Sequence, residues 1–127
     1  MIPKNHVTNL ELSKKLEELG EPQVSEFYWI KPSSAQKAFV VDKENLGKRD
    51  IDTLEYVYSA FLASELGREL PVDIQCRKTP RGWEVIFWGK GPLMRSMKNS
   101  RAMEADTLPN ALAKMLIYLK ENNLLKI

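Results

Sequence analysis

The run Trp83-Glu84-Val85-Ile86-Phe87-Trp88 constrains the fold more than any other stretch of the chain. Alternation puts Trp83, Val85 and Phe87 on one face of a strand and Glu84, Ile86 and Trp88 on the other, so both faces carry apolar bulk. Such a strand belongs at the centre of a sheet, or under a helix or a partner subunit on its second face. Pro80-Arg81-Gly82 before it reads as a turn. Upstream, Asp73 to Thr79 alternates Ile74 and Cys76 against Asp73, Gln75 and Arg77, which predicts a half-buried strand pairing with the first in a hairpin. On that pattern Cys76 is a small buried hydrophobe rather than a nucleophile.

The remaining elements follow from caps and periodicity. Thr8 and Glu11 have the spacing of a capping box, with Val7 and Leu12 as a hydrophobic staple, and Leu12, Leu16 and Leu19 make one apolar stripe that Gly20 and Pro22 end. Glu26 to Lys31 and Lys37 to Asp42 are aromatic and β-branched around Pro32-Ser33-Ser34, which predicts a hairpin. Lys43 to Asp52 reads as a loop. Thr53 to Leu70 fits either one long helix from an Asp52-Thr53 cap or, with the strand propensity of Tyr56-Val57-Tyr58, a shorter helix through Leu62, Leu66 and Leu70 ended by Pro71; the shorter helix is preferred. Gly89 to Asn99 has no period and reads as a loop suited to function, and Arg101 to Asp106 as a further strand. Thr107 then caps a long helix with Pro109 in its first turn, a buried stripe of Leu108, Leu112, Met115, Leu116 and Leu119, and an end at Asn122-Asn123.

The expectation is one α+β domain over 1–127, with an antiparallel sheet of about four to five strands and an N-terminal, a short middle and a long C-terminal helix packed on it. A content of 43% apolar and 28% charged residues suits a packed fold, and a length of 127 residues gives one core without staples. A single cysteine leaves no intrachain disulfide, which fits a reducing cytoplasm. The N-terminal residues lack the pattern of a secretory signal, and Ala111 to Leu119 is too short to span a bilayer. No membrane association is expected.

Chemistry-bearing groups are few. There is one His, His6, read as an exposed imidazole, and with one Cys no zinc set can be assembled; no cofactor or metal is expected. Gly89-Lys90-Gly91 lacks the spacing of a phosphate loop, and Asp50 with Asp52 reads as solvated or capping. The charge is uneven, however. Arg77 to Arg101 holds seven basic residues against Glu84 alone, or +6, which leaves −4 for the rest of a chain of net charge +2. Arg77, Lys78, Arg81, Trp88, Lys90 and Arg95 are therefore the candidate ligand-binding residues, with an aromatic to stack on a base and cations for phosphate.

Four segments carry a resemblance: Val7 to Leu16 (Val-Thr-Asn-Leu-Glu-Leu-Ser-Lys-Lys-Leu), Phe27-Tyr28-Trp29, Glu65 to Pro71 (Glu-Leu-Gly-Arg-Glu-Leu-Pro), and Glu104 to Leu119. In this order they resemble a family of small proteins of unknown function encoded by phages and prophages of Firmicutes. The strand, Asp-Thr cap and long helix near the C-terminus also look like the ending of HicB-type antitoxins. The resemblance implies a non-enzymatic accessory protein in the cytoplasm of a bacterial host that binds a host or phage protein, with self-association through the sheet. The alternative is a counter-defence protein that sequesters a nucleotide signal through the basic segment. A third reading, an enzyme working with carboxylates, requires two acidic side chains to meet in a pocket.

Overall fold

The computed structural model describes residues 6–71, 74–87 and 101–122. Its first element is α1 (Leu10–Glu18), whose cap is Asn9 and not Thr8: Asn9 Oδ1 accepts the Leu12 N–H at 2.9 Å. Thr8 is instead fully buried. Its hydroxyl accepts the Phe61 N–H at 3.0 Å and lies 2.6 Å from Ser13 Oγ, while its carbonyl accepts the Trp29 indole N–H at 2.8 Å. Val7 makes a bridge to Leu62, so it packs with Trp29 and Ala60 rather than stapling to Leu12. At the other end, Gly20 (φ 87) turns the chain so that the Glu21 N–H closes on the Leu16 carbonyl.

The aromatic hairpin forms as β1 (Phe27–Pro32) and β2 (Phe39–Asp42), with Trp29 opposite Val40. The stretch read as a loop after it contains a short helix, α2 (Lys43–Gly47), because Asp42 Oδ1 accepts the Asn45 N–H at 2.8 Å. A 3-10 turn at Ile51–Thr53 follows, capped by Asp50. The ambiguous stretch resolves into β3 (Leu54–Ala60) followed by α3 (Ala63–Glu69), the shorter helix. The second hairpin is β4 (Ile74–Thr79) and β5 (Gly82–Phe87), then come β6 (Arg101–Ala105) and α4 (Leu108–Glu121). Thr107 caps α4 as its sequence predicts, and the Asn122 N–H closes it on the Tyr118 carbonyl at 3.1 Å.

The strands make two antiparallel sheets of three, ordered β2-β1-β3 and β4-β5-β6, instead of one sheet of four to five. The edge of β3 explains the division. Its Ser59 N–H donates to Gln23 Oε1 at 2.8 Å, and just beyond the strand Phe61 exchanges hydrogen bonds with Thr8, so at this end of the strand the groups that would pair with another strand are already used. The strand β5 is central in its own sheet, the first of the alternatives that its two-sided apolar pattern leaves.

The main core lies between the inner face of that second sheet and three helices. Val85 and Phe87 meet Ala111, Leu112, Met115, Leu116 and Leu119 of α4, Leu16 of α1, Leu66 of α3, and Phe61. Packing around α4 is wider than the predicted stripe: Pro109, Asn110, Ala113 and Ile117 are buried too, and Leu108 is only half-buried. Cys76 points to this same face but is exposed, contrary to its alternation pattern. The reason is that β4 is an edge strand, and α4 lies on β5 and β6 and stops short of it. The loop expected over Gly89 to Asn99 lies outside the described residues.

Candidate functional site

The two-residue connection Pro80-Arg81 pairs Thr79 with Gly82, and this register sets Lys78 directly across from Trp83. Both lie on the face that carries Val85 and Phe87, at the end where α4 begins. Gly82 is required here by its backbone (φ 147), and a Cβ would come within 2.3 Å of the Ala105 carbonyl oxygen. Trp83 and Lys78 thus face an open cavity of about 630 Å³. Its other walls are the first turns of two helices, Leu62-Ala63-Ser64 at α3 and Asp106-Thr107-Leu108-Pro109 at α4, and His6.

Pro109 has no N–H and the Asn110 N–H is turned to Thr107 Oγ1 at 3.4 Å, so the α4 terminus is largely capped by its own residues. The Asp106 carboxylate accepts Asn110 Nδ2–H at 3.1 Å, and Asn110 Oδ1 in turn accepts the Asn9 N–H at 2.8 Å, which fixes this wall to the start of α1. The cavity therefore offers an indole half-covered by packing, aliphatic walls from Leu62, Leu108 and Pro109, one ammonium, one imidazole, the hydroxyls of Ser64 and Thr107, and the Asp106 carboxylate, which is engaged by Asn110.

Of the six basic and aromatic residues singled out by sequence, three fall among the described residues, and of these the structure brings Lys78 to this place. Arg77 points to the opposite face, where its Nε donates to Glu84 Oε1 at 2.7 Å. Arg81 is exposed in the turn and does not line the cavity. Trp88, Lys90 and Arg95 lie outside the described residues. Trp83 and His6, read from sequence as packing and as a solvent-exposed imidazole, are the additions. The signal for Trp83 was present in the turn, since a two-residue loop dictates which residues face each other across the hairpin.

A second cavity of about 370 Å³ holds carboxylates, among them Glu21, Glu65 and Glu69. Glu21 is 6% exposed. Burial and a hydrogen bond with Glu69 push its pKa above the usual glutamate value, against the pull of Lys120, whose Nζ lies 3.1 Å from Glu21 Oε1. Glu65 is fully engaged: its two oxygens accept the N–H groups of Leu62 at 2.8 Å and Glu26 at 3.0 Å. Acidic side chains thus do meet in a pocket, the condition that the carboxylate reading sets, with Glu65 held by backbone N–H groups and Glu21 by Lys120. No group of three or more metal-ligating side chains occurs among the described residues, and no hydroxyl or thiol among them is hydrogen-bonded to His6. No described helix is long and apolar enough to cross a membrane.

No family model matches the chain, and neither the curated proteins nor the solved structures contain a significant match to it.

Proposed function

We propose that the protein is a non-enzymatic binding domain and that its ligand is of the nucleotide class, with the ring laid against Trp83 and the phosphate near Lys78. One observation carries this reading: an aromatic and a cation that face each other across β4 and β5 share the wall of a cavity of about 630 Å³. That volume falls within the ~300–1,000 Å³ that small-molecule sites occupy, and stacking plus a charged phosphate contact is how sheets hold nucleotides without catalysis. The non-enzymatic part rests on the occupation of Glu65 by two backbone N–H groups and of Glu21 by Lys120. In the phage setting of the sequence resemblance, such a domain acts in the cytoplasm of a bacterial host by sequestering a nucleotide signal.

Isothermal titration with a panel of mono-, di- and cyclic nucleotides tests the reading. Lys78→Glu and Trp83→Leu remove binding, whereas Arg77→Glu, on the far face, leaves it within about threefold. The absence of binding by every nucleotide in the panel refutes the assignment.

A second reading, capture of a host or phage protein with self-association, draws on the first sheet. There Phe27, Val40, Tyr56 and Tyr58 are only half-buried, with the two tyrosine rings 5.2 Å apart. Native mass spectrometry distinguishes the readings, since a retained nucleotide mass supports the first and a ligand-free oligomer the second.

A further inference from the structure

An edge strand is where one sheet can be extended by another, and the described residues obstruct most of the edges here. At β3, Gln23 and Thr8 take the N–H groups of Ser59 and Phe61. At β6, Lys114 of α4 donates to the Glu104 carbonyl at 2.9 Å. The strand β2 is short, and its last residue, Asp42, already caps α2. The strand β4 differs. No described group outside its own hairpin bonds the backbone of Ile74, Cys76 or Lys78, and α4 stops short of it.

The far side of the sheet shows which groups of β4 face outward. Because the Glu104 carbonyl is taken by Lys114, it points away from β5, and Glu84 and Glu104 are a pair that exchanges no backbone hydrogen bonds. Glu84 then turns its N–H and C=O towards Arg77, its partner on β4. Alternation directs the N–H and C=O of Ile74, Cys76 and Lys78 the other way, out from the sheet edge. The tight turn agrees, since a two-residue hairpin bonds its closing pair, here Thr79 and Gly82.

We propose that two copies of the chain join edge to edge, β4 antiparallel to β4 about a twofold axis at Cys76, so that their second sheets become one continuous sheet. Charge and backbone chemistry select this register. It pairs all three outward residues within the strand, Cys76 with Cys76 and Ile74 with Lys78, and it sets the neutral Gln75 opposite Arg77, which keeps Glu84 of its own chain at 2.7 Å. An axis at Arg77 would oppose two guanidiniums and ask Pro80, which has no N–H, to pair with Ile74. An axis at Gln75 leaves Lys78 facing past the start of β4. Both Cys76 thiols stay open on the inner face, and Ile74 of the second copy stands beside the Lys78 stem at the rim of the cavity of about 630 Å³. The pairing gives self-association a place outside the first sheet and holds whatever that cavity binds.

Sedimentation velocity across a concentration series, with opposite charges placed at exposed position 75, tests the register. The wild-type chain shows a concentration-dependent dimer. Gln75→Glu puts a carboxylate opposite Arg77 of the other copy and tightens the dimer by about three- to tenfold, whereas Gln75→Arg weakens it by a similar factor. A short bismaleimide joins two wild-type chains through Cys76, the single cysteine, because opposed residues of an antiparallel pair lie ~5.5 Å apart at Cα. The cross-link is read on the unaltered chain, so it decides the question even where a variant fails to fold. A chain that stays monomeric up to about 1 mM overturns the pairing. So does a dimer that Gln75→Glu and Gln75→Arg affect alike or leave unchanged, or one that the bismaleimide does not join, since its contact lies elsewhere.

Discussion

Replacing Thr8 with Val keeps the shape of a buried side chain and deletes one oxygen. That oxygen accepts the Phe61 N–H at 3.0 Å and lies 2.6 Å from the Ser13 hydroxyl, and all of these groups but Phe61 are at 0% exposure. The Phe61 N–H is then left without an acceptor in the interior, at a cost of ~1–3 kcal/mol. Ser13 keeps a weaker contact to the Thr8 carbonyl at 3.4 Å, so its loss is a net hydrogen bond of ~0.5–1.5 kcal/mol. The sum is about 2–4 kcal/mol, a large part of the ~5–15 kcal/mol that holds an ordinary domain. Urea unfolding measures it as a lower midpoint at unchanged slope. Adding Ser13→Ala to Thr8→Val should cost less than the two single losses summed, since the partners fail together. Thr8→Asp separates the two views of this residue: an N-cap tolerates aspartate, whereas an unpaired charge at a fully buried position unfolds the protein. A Thr8→Val loss below about 0.5 kcal/mol, or a folded Thr8→Asp variant, refutes the reasoning.

Three further outcomes are expected. Gly82→Ala forces an unfavourable φ and a backbone collision with Ala105 and Asp106, and should cost about 2–5 kcal/mol by thermal or urea unfolding. Ser59→Ala removes a buried hydroxyl that has no partner among the described residues, so it should leave stability unchanged or raise it by about 1 kcal/mol. Cys76 should be alkylated by iodoacetamide in the folded protein because it is exposed. Desolvation raises its thiol pKa, however, so the reaction should be slower at neutral pH than that of a free thiol and accelerate as pH rises; protection of the thiol at every pH would contradict its edge position.

Elements defined by their own residues were legible in the sequence. The two-sided apolar run of β5 points to a central strand or a covered second face, of which the structure shows the first, and Thr107 with Pro109 marks the start of α4, because both signals are local. The first helix shows where this stops. The capping-box spacing pointed to Thr8, whereas Asn9 holds the cap, because the distant Phe61 and Trp29 take Thr8 inside. The division into two sheets was hidden for the same reason, since it depends on Gln23 and Thr8 reaching the edge at Ser59 and Phe61. Cys76 kept its alternation but not its burial, because a pattern of period two reports a face and not how far a helix extends over it. At the candidate site, charge density pointed to six residues, and among the three described ones the hairpin register selects Lys78 and sends Arg77 to the other face.

The dependence of the core on α4 has a consequence for synthesis on the ribosome. Each sheet is built from three strands that are consecutive in sequence, so it can assemble soon after its segment emerges. Leu16, Leu66, Val85 and Phe87 have no complete cover until Ala111 to Leu119 arrive, and the Asn9 to Asn110 hydrogen bond joins residues 101 positions apart. For most of its translation the nascent chain thus presents a bare apolar face, and a pause or truncation before residue 108 leaves a chaperone substrate instead of a smaller folded protein.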